Sequence, residues 1–156
     1  MLNNINRELE IKNLKIKNRI ILPPMASGKP NTNHEVTDEA IDYYTRIARA
    51  GHIGMIIVEH AFVSPEGMAS RHQLSICKDN DVLGLRRLAE AIHAEGLPVA
   101  IQINHAGGAI RTVKTGLPNI GPSTNLGLDY FEPDLEMRKE DIERVVSDFA
   151  QAARRA

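Results

Sequence analysis

Hydrophobic positions change their period several times along the chain, and each change marks an element. The first 20 residues alternate, with Ile11, Leu14, Ile16 and Ile20 set among Lys and Asn, which predicts a short hairpin over 1–18 ahead of the main fold. Residues 19–22 form a compact apolar run, Arg19-Ile20-Ile21-Leu22, stopped by Pro23 and Pro24, which supply no amide hydrogen to a strand ladder. This is the first strand of a repeated unit. From Thr37, a suitable N-cap followed by Asp38 and Glu39, apolar positions recur at Ala40, Tyr44, Ile47 and Ala48 until Gly51. That pattern predicts an amphipathic helix with a glycine stop.

Met55, Ile56, Ile57 and Val58 then form a continuous apolar run, as in a parallel strand buried on both faces. Val82, Leu85, Ala89 and Ile92 mark one face of a second helix, capped by Asp79 or Asn80 and ended by Gly96. Residues 98–103, Pro98-Val99-Ala100-Ile101-Gln102-Ile103, predict a third strand. After a long loop rich in Gly, Pro, Thr and Asn, positions Ile142, Val145, Val146, Phe149, Ala150 and Ala153 give a third helix of 3.6 period. Arg138 stands at its start where Ser or Thr would cap, so a frayed first turn is expected. Strict alternation of strand and helix predicts an α/β architecture with a parallel sheet and right-handed crossovers. The order of elements does not separate an open doubly wound sheet from part of a barrel. The first strand–helix turn reads PPMASGKPNTN rather than G-x-G-x-x-G, which weakens the dinucleotide-binding alternative.

Composition narrows the classes further. The chain has 156 residues, 42% of them hydrophobic and 25% charged, the profile of one ordinary globular domain. A net charge of -1 provides no global positive field, so neither nucleic acid nor a membrane surface is expected as a partner. The longest apolar runs fall far short of the roughly 20 residues that a bilayer crossing needs. The opening MLNNINRELEIKN lacks the apolar core of an export signal, and a single cysteine, Cys77, fits a reducing compartment, so a cytoplasmic location is expected. The histidines at 34, 52, 60, 72, 93 and 105 show no metal-ligand spacing, and no metal site is expected. His52 and His93 read as solvated or capping residues, and Cys77 as an inert thiol in a loop.

In a β/α barrel the chemistry sits just past the C-terminal ends of the strands. Those positions here are Pro23, Pro24, Met25 and Ala26; then Glu59, His60 and Ala61; then Gln102 followed by Asn104, His105, Ala106, Gly107 and Gly108. Alternation puts Gln102 on one face with Ala100 and Asn104, opposite Val99, Ile101 and Ile103, and so aims an amide into an apolar interior. Two readings stay open for it. It is a core amide tying two strands, or its two donors and one acceptor meet the imide edge of a heteroaromatic ligand such as a flavin or pterin. Glu59 and Glu66 are candidates for acid–base work, although Ser64-Pro65-Glu66-Gly67 is more simply a turn. The charges between Glu132 and Arg144 read as a solvated face.

The run Leu14-Lys15-Ile16-Lys17-Asn18-Arg19-Ile20-Ile21-Leu22-Pro23-Pro24-Met25 resembles the opening of the Old Yellow Enzyme family of FMN-dependent NAD(P)H oxidoreductases. Gly54 to Glu59 with Val63-Ser64-Pro65-Glu66-Gly67 is similar to that family's second strand and following loop, and Gln102-Ile103-Asn104-His105-Ala106-Gly107-Gly108 to its Gln-Leu-x-His-Ala-Gly-Arg segment. The run from Met137 to Ala153 is similar to its crossover helix before strand four. The resemblance implies the N-terminal portion of a (β/α)8 TIM barrel, a hairpin plus three βα units over 19–156, that is not closed by this chain alone. It implies FMN as cofactor, NADH or NADPH as reductant, and an electron-poor alkene or similar small molecule as electron acceptor. Residue by residue, it implies that Pro24, Met25 and Ala26 line the flavin ring, that His60 meets it through its backbone amide, and that Gln102 bonds its pyrimidine edge. Ala26 stands where the family often has Cys or Thr, whose side chain adjusts the flavin potential, and Gly108 where it often has Arg.

A closed barrel takes about 250 residues and eight units. The family's substrate-binding His pair, proton-donor tyrosine, ribityl-binding arginine and phosphate loops all follow later in its sequences, so no catalytic residue is assigned within 1–156. Open sheet edges predict self-association. The alternatives are a truncated, catalytically silent partial barrel acting as a flavin half-site or association module, and a barrel lyase or aldolase. The latter needs a catalytic lysine or a metal cluster at the rim, and neither Lys29 nor Lys114 is expected directly at a strand end.

Overall fold

The computed structural model describes residues 4–109, 115–124 and 134–156; Lys114 and Glu132 lie outside the described residues. Strands β1 (Leu9–Ile11) and β2 (Leu14–Ile16) pair antiparallel as the expected hairpin, and Ile16 is buried beneath it. β3 (Ile21–Leu22) is shorter than the apolar run, because Arg19 N donates to Ile5 O (2.8 Å), ahead of the hairpin, and Ile20 N to Asn18 Oδ1 (3.0 Å), so neither amide joins the sheet. Next to it Gly54 N donates to Ile20 O at 2.8 Å, an approach so close that any Cβ on Gly54 would overlap the Asn18 carbonyl.

Helix α1 (Asp38–Arg49) begins as its sequence requires: Thr37 Oγ1 accepts from Ala40 N at 3.0 Å, with Asp38 and Glu39 against the positive end of the helix dipole. Gly51, at φ +79°, ends it. β4 (Met55–Phe62) runs four residues past Val58, so Glu59, His60 and Ala61 lie inside the strand and not beyond it. β5 (Leu74–Ser75) pairs with the end of β4. Helix α2 (Asp81–Ala94) follows, but neither Asp79 nor Asn80 caps it through a side chain. Asp81 instead ties its start to β5, accepting from Ser75 Oγ at 2.6 Å, while Asp79 pairs with Arg155.

β6 (Val99–Asn104) pairs parallel with β4, giving the order β3-β4-β6. Inside the expected loop, β7 (Ile120–Gly121) and β8 (Leu135–Glu136) make a short parallel pair, joined beside it by Asn119 and Asp134, whose backbone N–H groups each donate to the other's side chain. Helix α3 (Lys139–Arg155) does not fray at its start: Asp141 Oδ2 reaches back to Arg138 N at 3.0 Å and supplies the bond that the cap residue cannot.

β3, β4 and β6 therefore lie side by side in chain order, with α1 and α2 between them, the singly wound order of a barrel. Tyr44 and Ala48 of α1, Leu88 and Ile92 of α2 and Ala152 of α3 pack into one cluster with Ile56, Val58 and Ala61 of β4. Helices thus cover one sheet face, where each fully buried aliphatic side chain contributes on the order of 1.5–3 kcal/mol. The other face, bearing Ile21 and Gln102, is open to solvent.

Candidate functional site

The site lies along the C-terminal ends of β3, β4 and β6. β3 pairs with β4 through Ile21–Met55 and Leu22–Ile56, and beyond it Ser27 N and Oγ bond the Glu59 carboxylate, which brings the turn holding Ala26 against the later part of β4. On the other side Val58 pairs with Ile101 and Ala61 with Ile103, so β4 has one residue more than β6 across this interval. That extra residue is a β-bulge at Glu59 and His60, and Gln102 stands opposite it. Parallel neighbours are about 4.8 Å apart, so His60 and Gln102 stand side by side on adjacent strands, with the turn that holds Ala26 tied to β4 through Ser27.

The bulge reverses the alternation. Ile56 and Val58 face the helices, and Glu59 also turns to that side, fully buried, where its backbone N–H donates to Tyr44 Oη at 3.0 Å. His60 is left half-buried on the side that bears Gln102. Glu59 is therefore no acid–base candidate at the rim. Its carboxylate accepts from Ser27 N at 3.2 Å, from Ser27 Oγ and from Tyr44 Oη at 3.4 Å. Burial pushes the Tyr44 phenol well above its ordinary value.

Gln102 departs from the sequence expectation. It is exposed and not buried, because the sheet face that bears it carries no covering layer among the described residues. Among those residues its carboxamide has no hydrogen-bond partner and ties no two strands, which leaves two donors and an acceptor available. Met25 is 50% exposed, Ala26 is exposed, and Pro24 is half-buried at the same rim. An uncharged donor–acceptor group, a thioether and small turn residues on one open edge form a set suited to a flat heteroaromatic ring with an imide edge, and these residues fit a flavin.

Two clusters that the sequence reading missed hold the rim loops. Gln73, fully buried, donates from Nε2 to Asn104 Oδ1 at 2.7 Å and accepts from Ala69 N at 2.5 Å and Ser70 N at 3.3 Å. No periodicity signals such a residue, since it lies in a loop. The second cluster joins Glu66, His105 and Arg144. Glu66 sits in the expected turn, a single 3-10 turn at Pro65–Gly67, and its carboxylate pairs with Arg144 of α3. Arg144 is thus not simply part of a solvated face. His105 Nε2 stands 3.9 Å from Glu66 Oε1, the spacing of an ion pair and not of a hydrogen bond. The His105 ring and, after it, the Arg144 guanidinium hold the Glu66 carboxyl down to about 2 against the burial that opposes them.

Away from this rim, a hollow of about 340 Å³ lies between α2, β6 and the end of α3, lined by Val82, Leu85 and Ile101 among others. It carries none of the rim residues. Lys29 is engaged with Glu39 on α1 at 2.5 Å, which leaves the lyase reading without a lysine at the end of β3. Among the described residues no three or more His, Cys, Asp or Glu side chains group to hold a metal ion, and no helix is long and apolar enough to cross a membrane.

Residues 6–156 match the NADH:flavin oxidoreductase / NADH oxidase family. The chain belongs to that family. It is 36% identical over 155 residues to an NADH oxidase of Thermoanaerobacter brockii, a match that covers 98% of this chain and 24% of that protein. It is 34% identical over 147 residues to an NADPH dehydrogenase of Halalkalibacterium halodurans, covering 94% of this chain and 42% of the relative. The chain therefore spans less than half the length of either. An Old Yellow Enzyme homologue from Zymomonas mobilis superimposes with a TM-score of 0.86 at 24% identity, covering 98% of this chain and 45% of that one. The fold is accordingly the first part of that family's barrel, the fold class expected from the sequence. FMN, with NADH or NADPH as reductant, is the cofactor set of the family.

Proposed function

We propose that residues 1–156 form one partial-barrel domain that supplies the ring-facing side of an FMN site, in a protein that passes hydride from NAD(P)H to an activated alkene or similar small acceptor. Hydride acceptance and donation are the chemistry that FMN supplies when bound. The chain's own residues bind and orient. Gln102 offers its carboxamide to the pyrimidine edge, His60 its backbone amide, and residues 24–26 the surface against which the ring lies. Ala26 brings no hydroxyl or thiol to the ring, so the side chain here leaves the flavin potential unadjusted. The observation that carries the reading is the free carboxamide of Gln102, beside His60 at the β4 bulge and on the open face of the sheet. β6 pairs on one side only among the described residues, which supports self-association through that edge as well.

The test is an FMN titration of the chain followed by flavin fluorescence, with size-exclusion chromatography on the same sample. Saturable quenching supports the reading. Its absence from a monodisperse, folded sample would favour the silent half-site, in which these residues bind flavin only with further barrel strands present.

A further inference from the structure

We propose that Glu59 is a positioning residue for the flavin-facing turn, acting through Ser27; this rests on the reading of residues 24–26 and Gln102 as FMN contacts. Past Leu22 the chain leaves the β3 ladder, and the turn that follows must be held by something else. Its own side chains do not hold it: Met25 is 50% exposed and Ala26 is exposed. The anchor is one residue further on. Ser27 gives both its N–H (3.2 Å) and its hydroxyl to the Glu59 carboxylate, and Ser27 Oγ in turn accepts from Lys29 N at 3.1 Å.

Glu59 can reach Ser27 because the bulge turns it off the open face, and it is braced there from two sides. Tyr44 Oη donates to its carboxylate at 3.4 Å and accepts from its backbone N–H at 3.0 Å. Tyr44 itself is 1% exposed on α1, so the brace is part of the packed core. One bulge thereby does two things: it presents His60 beside Gln102 and fixes Ser27, hence Ala26, at the neighbouring strand end. A carboxylate suits this role because each of its oxygens accepts independently. An apolar residue would leave Ser27 N–H without its acceptor and the Tyr44 O–H with nothing to donate to, although Tyr44 Oη would still accept from the backbone N–H at 59.

The test combines hydrogen exchange at the Ser27 amide of the ligand-free chain with FMN titration and the visible flavin spectrum. Glu59→Ala is expected to speed Ser27 exchange and weaken FMN binding by about tenfold each, the loss of roughly one charge-assisted hydrogen bond, with a shifted flavin band. Glu59→Gln is expected to restore both to within about threefold, since its amide oxygen accepts from Ser27 N–H while its NH2 donates to Ser27 Oγ. Ser27→Ala removes the hydroxyl half of the link from a half-exposed position and is expected to weaken FMN about threefold. Leu88→Ala, a core change on α2, is expected to lower the melting temperature while leaving the flavin band in place. Unchanged Ser27 exchange or unchanged FMN binding in Glu59→Ala, or unchanged binding in Ser27→Ala, overturns the inference while the flavin reading stands. Failure of the unaltered chain to bind FMN, seen before any substitution is made, leaves the silent half-site, and the Ser27 exchange of Glu59→Ala, read without ligand, then decides the inference by itself: unchanged exchange overturns it.

Discussion

Gly67 lies flat against the His105 ring: a Cβ on Gly67 would stand 2.5 Å from His105 Cδ2. The loop after β4 and the loop after β6 meet at this contact, and Ala106 N donates to Gly67 O at 2.9 Å across it. Gly67→Ala is expected to cost about 1–3 kcal/mol, because the ring it would displace is itself packed and a filled site must shift. A melting curve checks this, and a drop of several degrees relative to the unaltered chain is the expected result. A melting temperature equal to that of the parent would mean that the His105 ring moves freely.

The Glu66 carboxyl titrates at about 2 in the folded chain against an ordinary 4.5. A depressed value makes its contribution to stability fully present above about 4.5 and lost as pH falls toward about 2. Asp141 and Asp148 also face Arg144, so they share its charge as the acid limb is crossed. Glu66→Gln should therefore be less stable than the parent at neutral pH, and the gap should close through that window. Thermal melts of both chains across acid pH measure it, and a gap that stays constant would refute the assignment.

Gln73→Leu removes the acceptor of two loop amides and the donor to Asn104 in one step. The site is fully buried, so water cannot replace those bonds, and a loss on the order of 2–4 kcal/mol is expected. Urea unfolding would show it as a lowered midpoint with an unchanged slope.

Gln102→Ala separates binding from stability. The side chain is exposed and touches no described partner, so folding stability should change by less than about 0.5 kcal/mol. FMN affinity should fall about tenfold through lost hydrogen bonds to the ring. Equal affinity for the two chains, read by flavin fluorescence, would remove Gln102 from the site.

Legibility in the sequence follows the range of the physics involved. The hairpin, the three helices and the Thr37 cap are local: periodicity places apolar residues on one face, and a hydroxyl three residues before Ala40 N finds its donor without help from the rest of the chain. Glycine stops at Gly51 and Gly96 are equally local, since each takes a positive φ at the end of its helix. The motifs in 14–25, 54–67, 102–108 and 137–153 together carried the family, which the match over 6–156 shows.

What the sequence by itself determined, then, is the order of the hairpin, the three main parallel strands and the three helices, the cap of α1, the glycine stops of α1 and α2, and the family. The tertiary structure decided which way the rim side chains face. Strict alternation through β4 would put Glu59 on the open face; the bulge against Gln102 exists only once β4 and β6 pair, and it sends Glu59 to Tyr44 and Ser27 instead. Burial of Gln102 likewise depends on a layer over the inner face, and no pattern within 98–103 can supply one. The contacts of Gln73 with Asn104 and of Glu66 with Arg144 join residues 31 and 78 positions apart, and separations of that size become neighbours only when the sheet and its helices have packed.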